Sequence, residues 1–283
     1  MRKGHVIFAL LLLFSLLLLF IWTYQPCLKS IAKSLNDTID CEQSLIESDG
    51  FICESNSLWN ERKRIFHPEN ERNKIRYPDT FYFLTNWEPT FHCSHARRIG
   101  ARGDGGKWIC DPHRLKARTD CLIYSVGSSG DFSFEIEVKK LLPHCEIHAF
   151  DKNLYPCPDR VCTFHQITFG DGIQPNNSKN WLTVIQELNH ANRIIDILKI
   201  DIEGGEYSFF PLLLNSKKPT SHPRQILVEV HPTNVTIIHD FFDRFRDNHY
   251  VIFIKEPNLL GGPYFFEYAF LKLNPLFFRS NQP

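Results

Sequence analysis

The sequence predicts an α/β protein: a doubly wound, mostly parallel seven-stranded sheet with one antiparallel strand at its C-terminal end, preceded by an N-terminal transmembrane helix. Three observations carry that expectation. From Cys121 onward, short apolar runs alternate with amphipathic stretches, the pattern of strands joined by crossover helices. The run IIDILKI at 194–200 is almost continuously β-branched and aliphatic, as a strand buried on both faces must be. The last two strand-like runs, 250–255 and 264–273, are joined by a Gly-Pro region too short for a crossover, so they pair antiparallel.

In order, strands are expected at 122–126, 146–150, 161–167, 194–200, 224–231, 250–255 and 264–273. Helices are expected at 131–142, with Asp131 or Ser133 as N-cap, and at 179–190, where Trp181, Val184, Ile185 and Leu188 recur at helical spacing. Two more fall at 207–214, where Pro211 blurs the start, and at 235–248, with Ile237, Ile238, Phe241, Phe242 and Phe245 on one face. Lys199 interrupts the apolar run at 194–200. A buried lysine needs a partner, so a carboxylate on a neighbouring strand is expected, with Glu229 as one choice.

The regions before this fold differ from it. Arg2 and Lys3 precede a 17-residue run from Val6 to Trp22, apolar except for Ser15, and no small-x-small cleavage site follows. Residues 1–24 therefore read as a cytosolic tail and signal anchor, with a cleaved signal and secretion as the alternative. Residues 25–76 read as a polar, then highly charged, stem or linker. Residues 77–120 read as a loop-rich subdomain dense in aromatic, Gly, Cys and Pro residues, closed by Cys93–Cys110, and 121–283 form the main domain. Nine cysteines and sequons at Asn36, Asn176 and Asn234 suit an oxidising lumen, Golgi or ER. The odd cysteine is assigned to Cys27. Net charge is zero, with acids and bases interleaved, so no nucleic-acid partner is expected.

Two tempting motifs fail. The cluster 103–107 lacks the first glycine and the Ser/Thr of a phosphate loop, because Ala101 and Trp108 stand there. His92, Cys93 and His95 have no second ligand pair at metal spacing, so no metal is assigned.

The ligand loop follows the first strand as YSVGSSGDFSFE. Gly127 and Gly130 give only G-x-x-G, a weak signal alone. Asp151 ends the second strand 24 residues after Gly127, the Rossmann-like distance for an acid on ribose hydroxyls. The loop has no basic residue to meet a pyrophosphate, which disfavours a dinucleotide and suits S-adenosylmethionine.

Residues 121–273 resemble a class I S-adenosylmethionine-dependent methyltransferase. More narrowly, residues 80–273 resemble the membrane-anchored methyltransferase-like proteins, through DGGKW at 104–108 with Cys110, Asp111 and Pro112, the loop of Tyr124, Ser125 and Gly127, and SFE at 133–135. LKIDIEG at 198–204, Glu229 with His231, and EYAF at 267–270 complete the set; LKIDIEG is also similar to FkbM-type methyltransferases. The resemblance implies that the 127–130 loop cradles the methionine part of the cofactor, that Asp151 binds ribose, and that the 169–171 turn with Asp171 approaches the adenine. It implies that Asp201 faces the methionine ammonium or the substrate. Ser125 stands where the wider class carries an acid, so its hydroxyl or Glu135 takes that part.

Methyl transfer needs in-line alignment, exclusion of water and, for a hydroxyl acceptor, a base. Asp201, Glu203 and His231 are the catalytic candidates, with His231 as base or anchor because its ordinary pKa lies near neutrality. The expected partners are a small-molecule or glycan acceptor, through a hydroxyl or carboxyl group, and the membrane through the N-terminal helix. Two alternatives stand beside this: a Golgi-type glycosyltransferase using Asp201 and Glu203 as a D-x-E motif, and a methyltransferase fold without turnover.

Overall fold

The computed structural model describes residues 40–69, 82–170, 172, 178–215, 222–258, 260–262 and 264–281. The predicted transmembrane run, the sequons at Asn36 and Asn176, Cys27 and Asp171 lie outside them. Among the described residues, no helix is long and apolar enough to cross a membrane. The chain divides into two compact units, Met1–Arg64 and Ile65–Pro283.

In the first unit, residues 40–64 are more structured than the stem expected there. Helix α1 (Glu42–Glu47) and helix α2 (Asn56–Ile65) are tied by the Cys41–Cys53 disulfide. Glu47 gathers two donors from α2, Trp59 Nε1 and Lys63 Nζ, each at 2.7 Å. Part of the dense charge is therefore spent internally. Lys63 is a buried ion-pair member within the stretch read as a highly charged stem or linker.

The second unit opens with α3 (Tyr82–Thr85) and a two-stranded antiparallel ribbon, β1 (Arg97–Ile99) and β2 (Lys107–Ile109). The ribbon's loop is gathered by Arg98, whose guanidinium donates to the carbonyls of Ala101 and Gly103 and pairs with Glu256 at 3.0 Å. Cys93–Cys110 closes this region as expected.

The main sheet follows. Its strands are β3 (Leu122–Val126), β4 (Glu146–Asp151), β5 (Thr163–Gln166), β8 (Ile197–Ile200), β9 (Gln225–Val230), β10 (Tyr250–Pro257) and β11 (Phe266–Lys272). Two short strands outside it, β6 (Thr168–Phe169) and β7 (Ser178–Lys179), pair with each other. The helices are α4 (Ser133–Leu141), α5 (Trp181–Glu187), α6 (Glu206–Leu214) and α7 (Val235–Asp247). Sheet order is β10-β11-β9-β8-β3-β4-β5, and only β11 runs against the rest. Every residue of β3, β8 and β9 is buried, which is why their sequences read as mostly apolar runs, broken only by Ser125, Lys199, Gln225 and Glu229.

Helices form where caps and apolar stripes agree. Asn180 and Asn234 cap α5 and α7, each side chain accepting from the backbone two residues on. On α7, Phe241, Phe242 and Phe245 go into the core, each contributing roughly 1.5–3 kcal/mol of burial. For α4 the expected cap is corrected: Phe132 holds the N-cap position without a side-chain bond, and Asp131 Oδ1 accepts from Ser133 N at 2.8 Å. Pro211 sits inside α6, which therefore lacks one helical donor there.

Strand order reverses between β3 and β8. β3 continues to β4 and β5 on one side, while β8, β9, β11 and β10 lie on the other. In such sheets the ligand crevice opens beyond the carboxyl ends at this point.

Candidate functional site

Gly127 follows β3 at that reversal. Its φ is +80°, and a Cβ there would stand 1.6 Å from the carbonyl oxygen of Asp201, so only glycine fits. The two strand ends touch through their backbones. The turn's own carbonyl is taken by Lys199 Nζ at 3.0 Å. Lys199 therefore answers a backbone oxygen freed by the turn, and Glu229 is not its partner, as the sequence had offered.

Asp151 ends β4 beside the same turn. One carboxylate oxygen accepts from the N–H groups of Ser128 and Ser129 at 3.0 Å each, and the other from Asn153 N at 2.9 Å. The acid thus clamps the loop. Two groups flanking the loop are orphaned: the Ser125 hydroxyl and both Glu135 oxygens are buried with no hydrogen-bond partner among the described residues. Leaving acceptors so placed costs stability unless something else supplies the donors.

On the β8–β9–β11 side, Lys107 reaches in from β2. Only 1 % exposed, it bridges Asp201 Oδ2 at 3.2 Å and Glu267 Oε1 at 2.5 Å. Burial works against its ammonium, but Glu267 and Asp201 outweigh that and raise its pKa. Burial likewise opposes the Asp201 carboxylate, and Lys107 and Lys199 prevail, holding its pKa below the usual value. Glu229 and Glu267 are direct cross-strand neighbours, an unfavourable like-charge pairing. Burial, then the Asp201 and Glu267 charges, push Glu229 up to about 7. Asn258 Nδ2 donates to it at 2.7 Å.

His231 follows β9. Its Nδ1 and backbone N both meet Glu206 Oε1, at 3.0 and 2.9 Å, and its Nε2 lies 3.4 Å from Glu203 Oε2. Burial disfavours its charge, yet Glu206 overrides this and the pKa rises to about 9. At neutral pH His231 is an imidazolium, a donor rather than a base. Glu203 is reached through a left-handed turn (φ +53°) and is largely exposed.

The strand ends thus bring Ser125, Gly127, Gly130, Asp151 and Asp201 to one edge, with Glu203 and His231 adjoining; Asp171 is outside the described residues. Sequence reasoning gave no role to Lys107, Glu206, Glu267 or Asn258. The first and third stand in the DGGKW and EYAF segments, which were a legible signal without an assigned chemistry.

An open α/β sheet with a glycine turn, a clamping acid and a cluster of carboxylates at its reversal point defines the doubly wound class of protein, in which ligands bind beyond the carboxyl ends of the strands. The chain belongs to a methyltransferase-domain family, whose model matches residues 43–272. No curated protein sequence matches it. Among solved structures it is similar to human methyltransferase-like protein 13 in complex with SAH, at 14% identity over 58% of this chain and 77% of that one, with a TM-score of 0.39. It is similar to precorrin-6y C5,15-methyltransferase from Geobacter metallireducens at 14% identity, covering 57% and 84%, TM-score 0.34. A Bacillus cereus O-methyltransferase in complex with SAH gives 12% identity, 57% and 78%, TM-score 0.36.

Proposed function

We propose that this chain transfers a methyl group from S-adenosylmethionine to an acceptor held in the acidic crevice beyond β8 and β9. The observation that carries this reading is the pair of orphans at the glycine turn. A buried hydroxyl and a buried carboxyl group, Ser125 and Glu135, lack donors. The methionine ammonium carries three. The residues therefore fit the cofactor: Ser125 and Glu135 for the ammonium, the 127–130 turn for the methionine backbone, Asp151 for ribose. When bound, S-adenosylmethionine supplies an electrophilic methyl on a sulfonium.

The chain's own residues do the rest. Glu229, with its pKa near neutrality, takes the proton from an acceptor hydroxyl, and a carboxylate acceptor needs no base. His231, kept cationic by Glu206, donates to an acceptor oxygen and orients it. Lys107 fixes Asp201 and Glu267 so that neither swings into the crevice.

The acceptor class we favour is a glycan or small-molecule hydroxyl or carboxyl group in the secretory lumen. What supports the compartment is the anchor-like run at 6–22, four disulfides among the described residues, and the exposed sequon at Asn234. The membrane-anchored and FkbM-like affinities belong to this reading. The sugar-transferase alternative needs Asp201 and Glu203 on a metal, and Lys107 already occupies Asp201.

The test is ligand-induced stabilisation. S-adenosylhomocysteine at a hundred times its Kd adds about 2.7 kcal/mol and raises Tm by several degrees. Glu135→Gln weakens that binding at least several-fold. A chain stabilised by UDP-sugar with manganese, or by neither ligand, refutes the proposal.

A further inference from the structure

Away from the cofactor crevice, near the opposite ends of the strands, three side chains converge. Glu146 opens β4, His148 follows on the same face, and His190 lies just after α5. His148 Nε2 is 2.8 Å from Glu146 Oε1, and His190 Nε2 is 3.5 Å from that same oxygen. The remaining nitrogen of each ring is held from behind. His148 Nδ1 meets His165 Nε2 at 2.8 Å, and His190 Nδ1 meets the Tyr124 hydroxyl at 2.7 Å. Arg193 Nη1 holds the other Glu146 oxygen at 2.5 Å. The outer contacts therefore turn both Nε2 atoms toward the same Glu146 oxygen.

We propose that Glu146, His148 and His190 form a zinc site. Two imidazole nitrogens and one carboxylate oxygen are a zinc donor set, and ligand imidazoles whose other nitrogen is hydrogen-bonded are what orients such sites. The three candidate ligand atoms lie within 4.8 Å of one another. Both histidines are 5 % exposed while the Glu146 side chain is 45 % exposed, so the site opens to solvent on the carboxylate side and a water completes four-coordination. Glu146 precedes Asp151 by five residues of strand, roughly 16 Å, so the site is separate from the cofactor crevice. Arg193 opposes the ion's charge and lowers its affinity. Other groupings are less apt. Cys121 and Cys145 are joined in a disulfide, His95 and His113 are exposed, and Asp201, common to the other two groupings, is already paired with Lys107.

The ion would join β4 to the segment after α5. Through His165 it would also steady β5, an edge strand paired on one side only. The role is to brace the fold.

The test uses the whole chain, stripped with a chelator and given zinc sulfate alone. We expect one zinc per chain by elemental analysis and a Tm rise of several degrees that chelator reverses. Glu146→Gln keeps the shape and loses at least tenfold in zinc affinity, as does His190→Gln. Cobalt on the unsubstituted chain reads the ligands without any variant: a four- or five-coordinate visible spectrum supports the site. A water-like six-coordinate spectrum overturns it. So does an unchanged Tm with zinc, or variants that bind zinc as the parent does.

Discussion

Glu229 and His231 sit at the end of one strand and carry opposite assignments from those that sequence position suggests. An isolated histidine titrates near neutrality and an isolated glutamate well below it. In the crevice, burial with the Asp201 and Glu267 charges lifts Glu229 to about 7, and Glu206 lifts His231 to about 9. The glutamate therefore changes state at physiological pH while the histidine stays charged. The sign is fixed: a base must be deprotonated, so kcat/KM rises as pH climbs through about 7. It falls again through about 9 as His231 loses the proton it donates. Glu229→Gln removes the acid limb and lowers kcat by roughly 10²–10⁴-fold. A pH–rate profile of parent and variant checks this once an acceptor is in hand. An acid limb that survives in the variant assigns the proton to another group.

Elements decide how much of this could be read beforehand. The central strands β3, β8 and β9 were legible because burial on both faces leaves a mostly apolar run, and the final antiparallel pair because its connection is short. What was not legible depends on contacts remote in the chain. Lys107 finds Asp201 and Glu267 at separations of 94 and 160 residues, which no local pattern encodes. Lys199 was rightly expected to need a partner. The adjacency of β8 and β9 was also right, but the register sets Lys199 opposite Leu227 and its amine reaches the Gly127 carbonyl instead. That contact makes the β3–β8 junction a single unit: glycine at 127, carbonyl of Asp201, amine of Lys199. Gly127→Ala forces a Cβ into the Asp201 carbonyl and a side chain into positive φ, the latter alone worth roughly 1–2 kcal/mol. The strand ends must part, so the variant loses stability and the S-adenosylhomocysteine Tm shift together. Thermal unfolding with and without ligand measures both. A variant that keeps the full ligand shift means the turn is not the cofactor's seat.

Across the whole chain, the eight described cysteines form four bridges, and each bridge lies within one of the two units. They bear on different parts of the fold. Cys121–Cys145 joins the residues just before β3 and β4, the two strands that carry the glycine turn and its clamping acid. Cys157–Cys162 closes a short loop leading into β5. If a bridge stabilises by restricting the unfolded chain, the sequence separations of 24 and 5 residues correspond to about 3 and about 2 kcal/mol. Replacing Cys121 and Cys145 together by alanine therefore costs more than replacing Cys157 and Cys162. It should also loosen the cofactor turn, since both strand starts are freed. Chemical denaturation of the two double variants under non-reducing conditions reads the order directly. Equal stability in both variants and in the parent would mean that these thiols are reduced in the folded protein. The oxidising compartment inferred from the cysteine count would lose its main physical support.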